Sequence, residues 1–195
     1  MPSLKWAERD LRGYWENRLL PEKYMLCDYF SKYEFESLLE VGCGCGQNLH
    51  LMAKRWPERF FMGVDINTNA IEYGYDGNVF LTQGDASCLD FLEDNQFDVA
   101  FTFALLCHIP SNLVRGVIKE LLRVSRKVIL IEPNASLFKT LRGFMLPYHK
   151  GQWIRDYVRL LREFVPKESI KISPLGIRGC EPWASLGSII EVNDR

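Results

Sequence analysis

Three acidic residues, Glu40, Asp65 and Asp85, stand where chemistry is most easily read in this chain. Glu40 lies two residues before the first glycine of LLEVGCGCGQN (38–48), Asp65 closes GVD before Ile66 and Asn67, and Asp85 sits in QGDAS. A carboxylate accepts charge-assisted hydrogen bonds from hydroxyl and ammonium groups. Any one of the three alone reads as an ordinary cap or turn former. Three of them, each at or near the end of a successive apolar run, point instead to a ligand rich in hydroxyls and carrying an amine. The glycines Gly42, Gly44 and Gly46 permit a sharp turn and a close approach of a ligand to the backbone. Position 47 is Gln, so the spacing is G-x-G-x-G and not the G-x-G-x-x-G of a dinucleotide loop. With Glu40 in front, the loop suits a cationic or amine-bearing ligand better than a pyrophosphate.

Two histidines are candidates for proton transfer, since imidazole titrates near pH 6.5 when unperturbed. His108 follows the apolar run FDVAFTFALLC, and His149 follows Pro147 and Tyr148 in a loop-like stretch. His108 reads equally as a general base or as a structural residue capping a helix that starts at Pro110. Cys43 and Cys45 are separated by one residue, and no second Cys/His pair with zinc-ligand spacing accompanies them. Two small side chains in a turn is the better reading, and no metal is expected.

The elements that must position these groups follow from periodicity. The runs 37–41, 59–65, 78–85, 97–104 and 127–133 are short, apolar and rich in β-branched and aromatic residues, the mark of buried parallel strands. Between them, Leu49, Met52 and Trp56, and then Val114, Val117, Ile118, Leu121 and Leu122, repeat at helical spacing. Such alternation predicts a parallel sheet covered by helices. Residues 4–33 read as helical, broken at Pro21, which suits the first turn of a second helix. An insertion over 135–165 ends in an amphipathic helix bearing Ile154, Tyr157, Val158, Leu161 and Phe164, and two strands, SIKIS and LGSIIEV, close the sequence. The whole of 1–195 reads as one domain.

The composition is 47% hydrophobic and 25% charged with a formal net charge of −1, which excludes global disorder and gives no basic footprint for nucleic acid. The first twenty residues lack the apolar core of a signal peptide, and no run is long enough to span a bilayer. None of the six cysteines has C-x-x-C spacing. The expected compartment is the cytoplasm, with reduced thiols.

Residues 38–132 together resemble the class I S-adenosylmethionine-dependent methyltransferases. EVGCGCG resembles the glycine motif of that family, GVDIN the turn whose acid grips the ribose, GDAS the segment facing the adenine amine, and FDVAFTFALLCHIP the strand that passes the methyl-bearing sulfur. The resemblance implies a doubly wound, seven-stranded, mostly parallel sheet with helices on both faces and a C-terminal antiparallel strand, LGSIIEV. It implies S-adenosyl-L-methionine as cofactor, held by Glu40, Gly42, Cys43, Gly44, Gly46, Asn48, Asp65, Ile66, Asp85, Ala86 and Phe103. It further implies a lid over the cofactor from Tyr14, Trp15 and Arg18 within the cap 1–35, and an acceptor site covered by 135–165, where Tyr148 and His149 are favoured as pocket residues.

Two departures stand out. The usual Pro-Gly-Gly turn before the fifth strand is replaced by a shorter VSRK, and the Asn/Asp-Pro-Pro-Tyr motif of base and glutamine amino methylation is missing. The expected reaction is therefore in-line methyl transfer to oxygen or nitrogen of a small molecule, with no nucleic-acid or membrane partner. A protein side chain as acceptor, and a non-catalytic cofactor-binding subunit, remain the rival readings.

Overall fold

The computed structural model describes residues 6–16, 21–74, 79–135, 152–175 and 187–193; of Tyr14 and residues 21–23 it describes the backbone alone. The expected pocket residues Tyr148 and His149, and Arg18 of the expected lid, lie outside the described residues, as does Cys180. In chain order the elements are α1 (Arg12–Glu16), α2 (Pro21–Phe30), β1 (Ser37–Val41), α3 (Gln47–Arg55), β2 (Phe60–Asp65), α4 (Thr68–Gly74), β3 (Phe80–Gln83), β4 (Phe97–Phe103), α5 (Val114–Val124), β5 (Ser125–Pro133), α6 (Tyr157–Leu161), β6 (Ile170–Pro174) and β7 (Gly187–Val192).

The sheet has seven strands in the order β3-β2-β1-β4-β5-β7-β6. The five strands β1 to β5 pair in parallel, whereas β7 runs antiparallel to both β5 and β6. Gly187–Val192, within the expected LGSIIEV, is thus the antiparallel strand. The chain order reverses between β1 and β4, and ligands of such sheets bind in the crevice outside the strand carboxyl ends at that point. Glu40, Asp65, Asp85 and His108 all belong to segments at or near that edge.

β5 shows how sequence builds the two faces. Val128 and Leu130 join a core with α5 and α6, while Ile129 and Ile131 join one with α2 and α3. All four are buried, so the strand is a continuous apolar run rather than an alternating one. The α5 stripe of Val114, Val117, Ile118, Leu121 and Leu122 is likewise buried. Helix α5 ends at Val124 and β5 begins at Ser125, so the shortened turn leaves no loop at all.

Three elements differ from their sequence expectation. Residues 8–11 are not helical, because Asp10 draws both the amide and the guanidinium of Arg12 to its carboxylate, a local alternative to the helix ladder. Helix α5 begins at Val114 rather than Pro110, and His108 instead closes a 3₁₀ turn, Leu106–His108. The amphipathic stretch 154–164 condenses to the five-residue α6, which starts where Asp156 accepts the Arg159 amide and caps it. Its intended core residues Ile154, Tyr157 and Leu161 are nevertheless buried.

Candidate functional site

The glycine loop leaves β1 and turns into α3. Gly42, Gly44 and Gly46 all have positive φ, at 80°, 57° and 71°. Gly42 needs glycine twice over, since an added Cβ would lie 2.7 Å from Leu105 Cδ1. Gly44 is different. An added Cβ there meets only Leu11 Cδ1 at 3.4 Å and Gln47 Oε1 at 3.8 Å, so its constraint is the backbone angle and its outer face has room.

Asp65 organises this loop. One carboxylate oxygen accepts the Gly44 amide at 2.7 Å and the other accepts the Asn67 amide at 2.9 Å. Burial pushes its pKa above the usual carboxylate range, and the donated backbone hydrogen bonds pull the other way. Glu40 is buried on β1 and accepts from Asn48 Nδ2 at 2.6 Å. The side-chain oxygen of Asn48 is buried without a hydrogen-bond partner among the described residues. Cys43 is buried, with its thiol pKa pushed up by desolvation, which keeps it a neutral filler and no thiolate ligand. Asp85 is exposed and accepts both the amide and hydroxyl of Ser87, so it forms a local turn and keeps its second oxygen clear of that turn. Ile66, Ala86 and Phe103 are partly exposed beside these turns and at the end of β4.

Of the expected lid residues, Trp15 is the one whose side chain is described. Trp15 packs edge-on against His50 at 4.5 Å and onto the small cluster of Leu11, Cys45 and Ala70. Trp6 and Leu11 lie against the same loop. Leu11 faces Gly44, and the Trp6 ring lies 4.6 Å from that of His108. Asn67, buried in the turn after β2, ties this strap down by donating to the carbonyls of Trp6 at 2.8 Å and Arg9 at 2.7 Å. It also caps α4 by accepting the Ala70 amide. Asn67 was missed in the sequence, although an Asn directly ahead of a helical run is a cap signal.

On the other side of the crevice, His108 rides on the turn after β4. That turn is fastened to Glu132, a fully buried carboxylate at the end of β5. Glu132 accepts from Thr102 Oγ1 at 3.0 Å and from the amides of Leu105, Leu106 and Cys107 at 2.9, 2.9 and 3.2 Å. Burial pushes its pKa up to about 7, against the pull of these hydrogen bonds. Arg155 donates to the carbonyls of Leu106 and Ile109, and the Trp153 amide to that of Cys107. Glu132 was also missed. Its signal was an acid inside the apolar run VILIEP, a charge that can be buried only with dedicated partners.

With this geometry in view, the comparisons with known proteins are direct. Residues 38–127 match a family model described as a methyltransferase domain. The plantazolicin methyltransferase BpumL, solved with a triazolic desmethyl-plantazolicin analogue and S-adenosylhomocysteine, superposes with a TM-score of 0.67 over 100% of this chain and 96% of that one, at 18% identity. Over residues 38–127 the chain is thus similar to the S-adenosylmethionine-dependent methyltransferases, and its sheet has their class I fold. The methyltransferase domain of bacterial CtHen1 gives a TM-score of 0.65 at 17% identity, covering 90% of this chain and all of that one. Phosphoethanolamine N-methyltransferase 1 of Haemonchus contortus gives 0.64 at 18% identity, covering 98% of this chain and 47% of that one. Among curated sequences, the trans-aconitate 2-methyltransferase of Afipia carboxidovorans is 21% identical over 110 residues. That match spans 56% of this chain and 43% of the relative, so the chain covers less than half the length of this curated relative.

The residues present fit the cofactor of this family. A glycine loop with an open face at Gly44, a half-buried carboxylate on Asp65 and an unpartnered carbonyl oxygen on Asn48 supply room and acceptors for hydroxyls and an ammonium group. Among the described residues no group of three His, Cys, Asp or Glu side chains is placed to hold a metal, and no helix is long and apolar enough to cross a membrane.

Proposed function

We propose that this methyltransferase passes the methyl group of S-adenosylmethionine to an oxygen or nitrogen of a small-molecule acceptor. The observation that carries the reading is the pairing, across the β1/β4 crevice, of a loop held open by Asp65 with an imidazole on the opposite turn. S-adenosylmethionine supplies an electrophilic methyl on a positively charged sulfur. Asp65 would accept from the ribose hydroxyls, Asp85 from the adenine amine, and Glu40 with the Gly42–Gly46 backbone would line the methionine end. Cys43, Asn48, Ile66, Ala86 and Phe103 would complete the walls. His108 would take the proton that a hydroxyl or ammonium acceptor must lose. His149 and Tyr148, with Trp153 and Arg155 of the 135–165 segment, would border the acceptor, and the 1–35 cap would cover the cofactor, with Tyr14 and Arg18 joining Trp15 there. We read 1–195 as one functional unit.

Acceptor size is supported indirectly. Trp6 already covers His108, and the near-neutral charge offers no surface for a polyanion. The cytoplasm fits the five described cysteines, none of which is in a disulfide. The test is to incubate purified protein with radiolabelled S-adenosylmethionine and a fractionated metabolite extract, with a protein lysate in parallel. Labelled product in the small-molecule fraction is expected. Label only in protein would assign a side-chain acceptor, and binding without transfer in either would leave a non-catalytic subunit.

A further inference from the structure

The 105–109 turn is held in an unusual way for a surface connection. Its amides at Leu105, Leu106 and Cys107 all donate to one carboxylate, and its carbonyls at Leu106, Cys107 and Ile109 are taken by the 153–155 segment. Ahead of it, Ala104 adopts φ 58°, a strained angle for a residue with a side chain, and donates its amide to Ile131. A loop whose polar groups normally go to water has thus been fixed by two charged side chains from distant parts of the chain. Strain of this kind persists only where the surroundings over-determine it.

We propose that Glu132 and Arg155 are positioning residues for methyl transfer, which clamp the Leu105–Ile109 turn from opposite sides and so hold His108 at the crevice. The proposal rests on the methyl-transfer reading. Neither residue need touch the reacting atoms. Glu132 has four donors aimed at it, so its ionised form satisfies all of them. Protonation would turn one acceptor oxygen into a donor facing an N–H, and the clamp would loosen. The groups that face Glu132 are the Thr102 hydroxyl from β4, the Cys107 thiol of the turn and the Tyr157 hydroxyl from α6, with the Arg155 guanidinium acting in turn on Cys107 and Tyr157. Desolvation pushes both the Cys107 and Tyr157 groups upward, so neither releases its proton before Glu132 does.

The sign separates positioning from plain stability. Glu132 binds its proton more tightly folded, near pH 7, than unfolded, near 4.5. That contribution to stability is present below about pH 4.5 and is lost as pH rises through about 7. Clamp order runs the opposite way and grows over the same interval. Amide exchange of Leu105, Leu106 and Cys107, corrected for intrinsic rates, should therefore become at least tenfold more protected from pH 5.5 to 8 while the melting temperature drifts down.

The experiment compares wild type with Glu132→Gln and Arg155→Lys, using S-adenosylhomocysteine as the binding probe. Both variants should bind it within about threefold of wild type, lose tenfold or more of the protection at 105–107, and turn over at least tenfold more slowly. The pH dependence of protection should vanish in Glu132→Gln. A single ammonium cannot serve both Leu106 and Ile109 as the Arg155 fork does, so Arg155→Lys carries the test if Glu132→Gln fails to fold. Protection at 105–107 that stays at the wild-type level in the folded variants would overturn the proposal. So would loss of protection with turnover untouched. A wild type that neither binds the probe nor transfers methyl would instead sink the functional reading, and the protection data would still report on the clamp.

Discussion

On the β1–β2 side of the crevice, the hydrogen bonds that shape the glycine loop and its turns link neighbours in sequence, while the strap that Asn67 holds comes from 58 and 61 residues away. Asn67 reaches Asp65 across two residues, Asn48 reaches Glu40 across eight, and Gly44 reaches Asp65 across twenty-one. On the β4–β5 side the corresponding bonds span twenty-five to forty-nine residues, from Glu132 and Arg155 to the turn of 105–109. The first side is a motif, compact enough to be transplanted as a loop between two strands. The second is an assembly, whose parts have no meaning until the sheet has formed. A substitution on the first side should therefore act on cofactor affinity, and one on the second on turnover.

Gly44→Val is the harshest test of that division. Valine at φ 57° is strained, and its branched methyls would fill the open face of the loop. S-adenosylhomocysteine binding should fall below calorimetric detection while circular dichroism stays that of a folded domain. Wild-type affinity in Gly44→Val would move the cofactor off this loop and erase the division altogether. On the opposite side, His108→Ala should lower kcat by about 10²–10⁴ if the imidazole is the base. The acid limb of the pH–rate profile should simplify and cofactor affinity should hold. A folded variant with near wild-type kcat would leave proximity alone to carry the reaction.

Asp65→Ala is the milder counterpart on the cofactor side. Losing charge-assisted hydrogen bonds of about 1.5–3 kcal/mol predicts roughly ten- to hundredfold weaker S-adenosylhomocysteine binding. Since burial raises the Asp65 pKa, wild-type affinity should also decline as pH falls through that raised value, and the decline should be missing in the variant. Affinity unchanged by the substitution would show that Asp65 serves only to fold the loop through Gly44 and Asn67.

The same contrast explains what the sequence disclosed. The strands of the sheet announce themselves because each is a short apolar run between turn residues, and the parallel topology follows from the intervening helical stripes. Asp65 and the three glycines stand out in the sequence, and their partners lie within one strand–turn–helix–strand unit. Glu132 was not, because a lone acid in VILIEP gives no hint that Thr102 and three amides converge on it. The contacts of the strap were not legible for a related reason. An aromatic helix such as 12–16 looks like a lid, yet Trp15 meets His50 and Trp6 meets His108 through contacts that no local pattern encodes. Helix boundaries erred where side chains compete with the backbone, at Asp10 and Asp156.

The smallest effect is expected where the two sides meet, at Trp6. Its ring leans on His108, its carbonyl is held by Asn67, and the Arg9 guanidinium lies 4.4 Å above it. Trp6→Ala removes the tilted ring contact but keeps the backbone clasp, because Asn67 donates to carbonyls and not to the side chain. An aromatic contact of this kind contributes about 0.5–1.5 kcal/mol beyond burial, so binding should weaken no more than about tenfold. If Trp6 covers both ligands, the KM of the acceptor and the Kd of S-adenosylhomocysteine should rise together by a few fold, with kcat unchanged. A rise in the cofactor constant alone would make the strap part of the β1–β2 motif. A fall in kcat with both constants unchanged would mean that Trp6 instead sets the orientation of His108, and that the strap works with the clamp on the β4–β5 side.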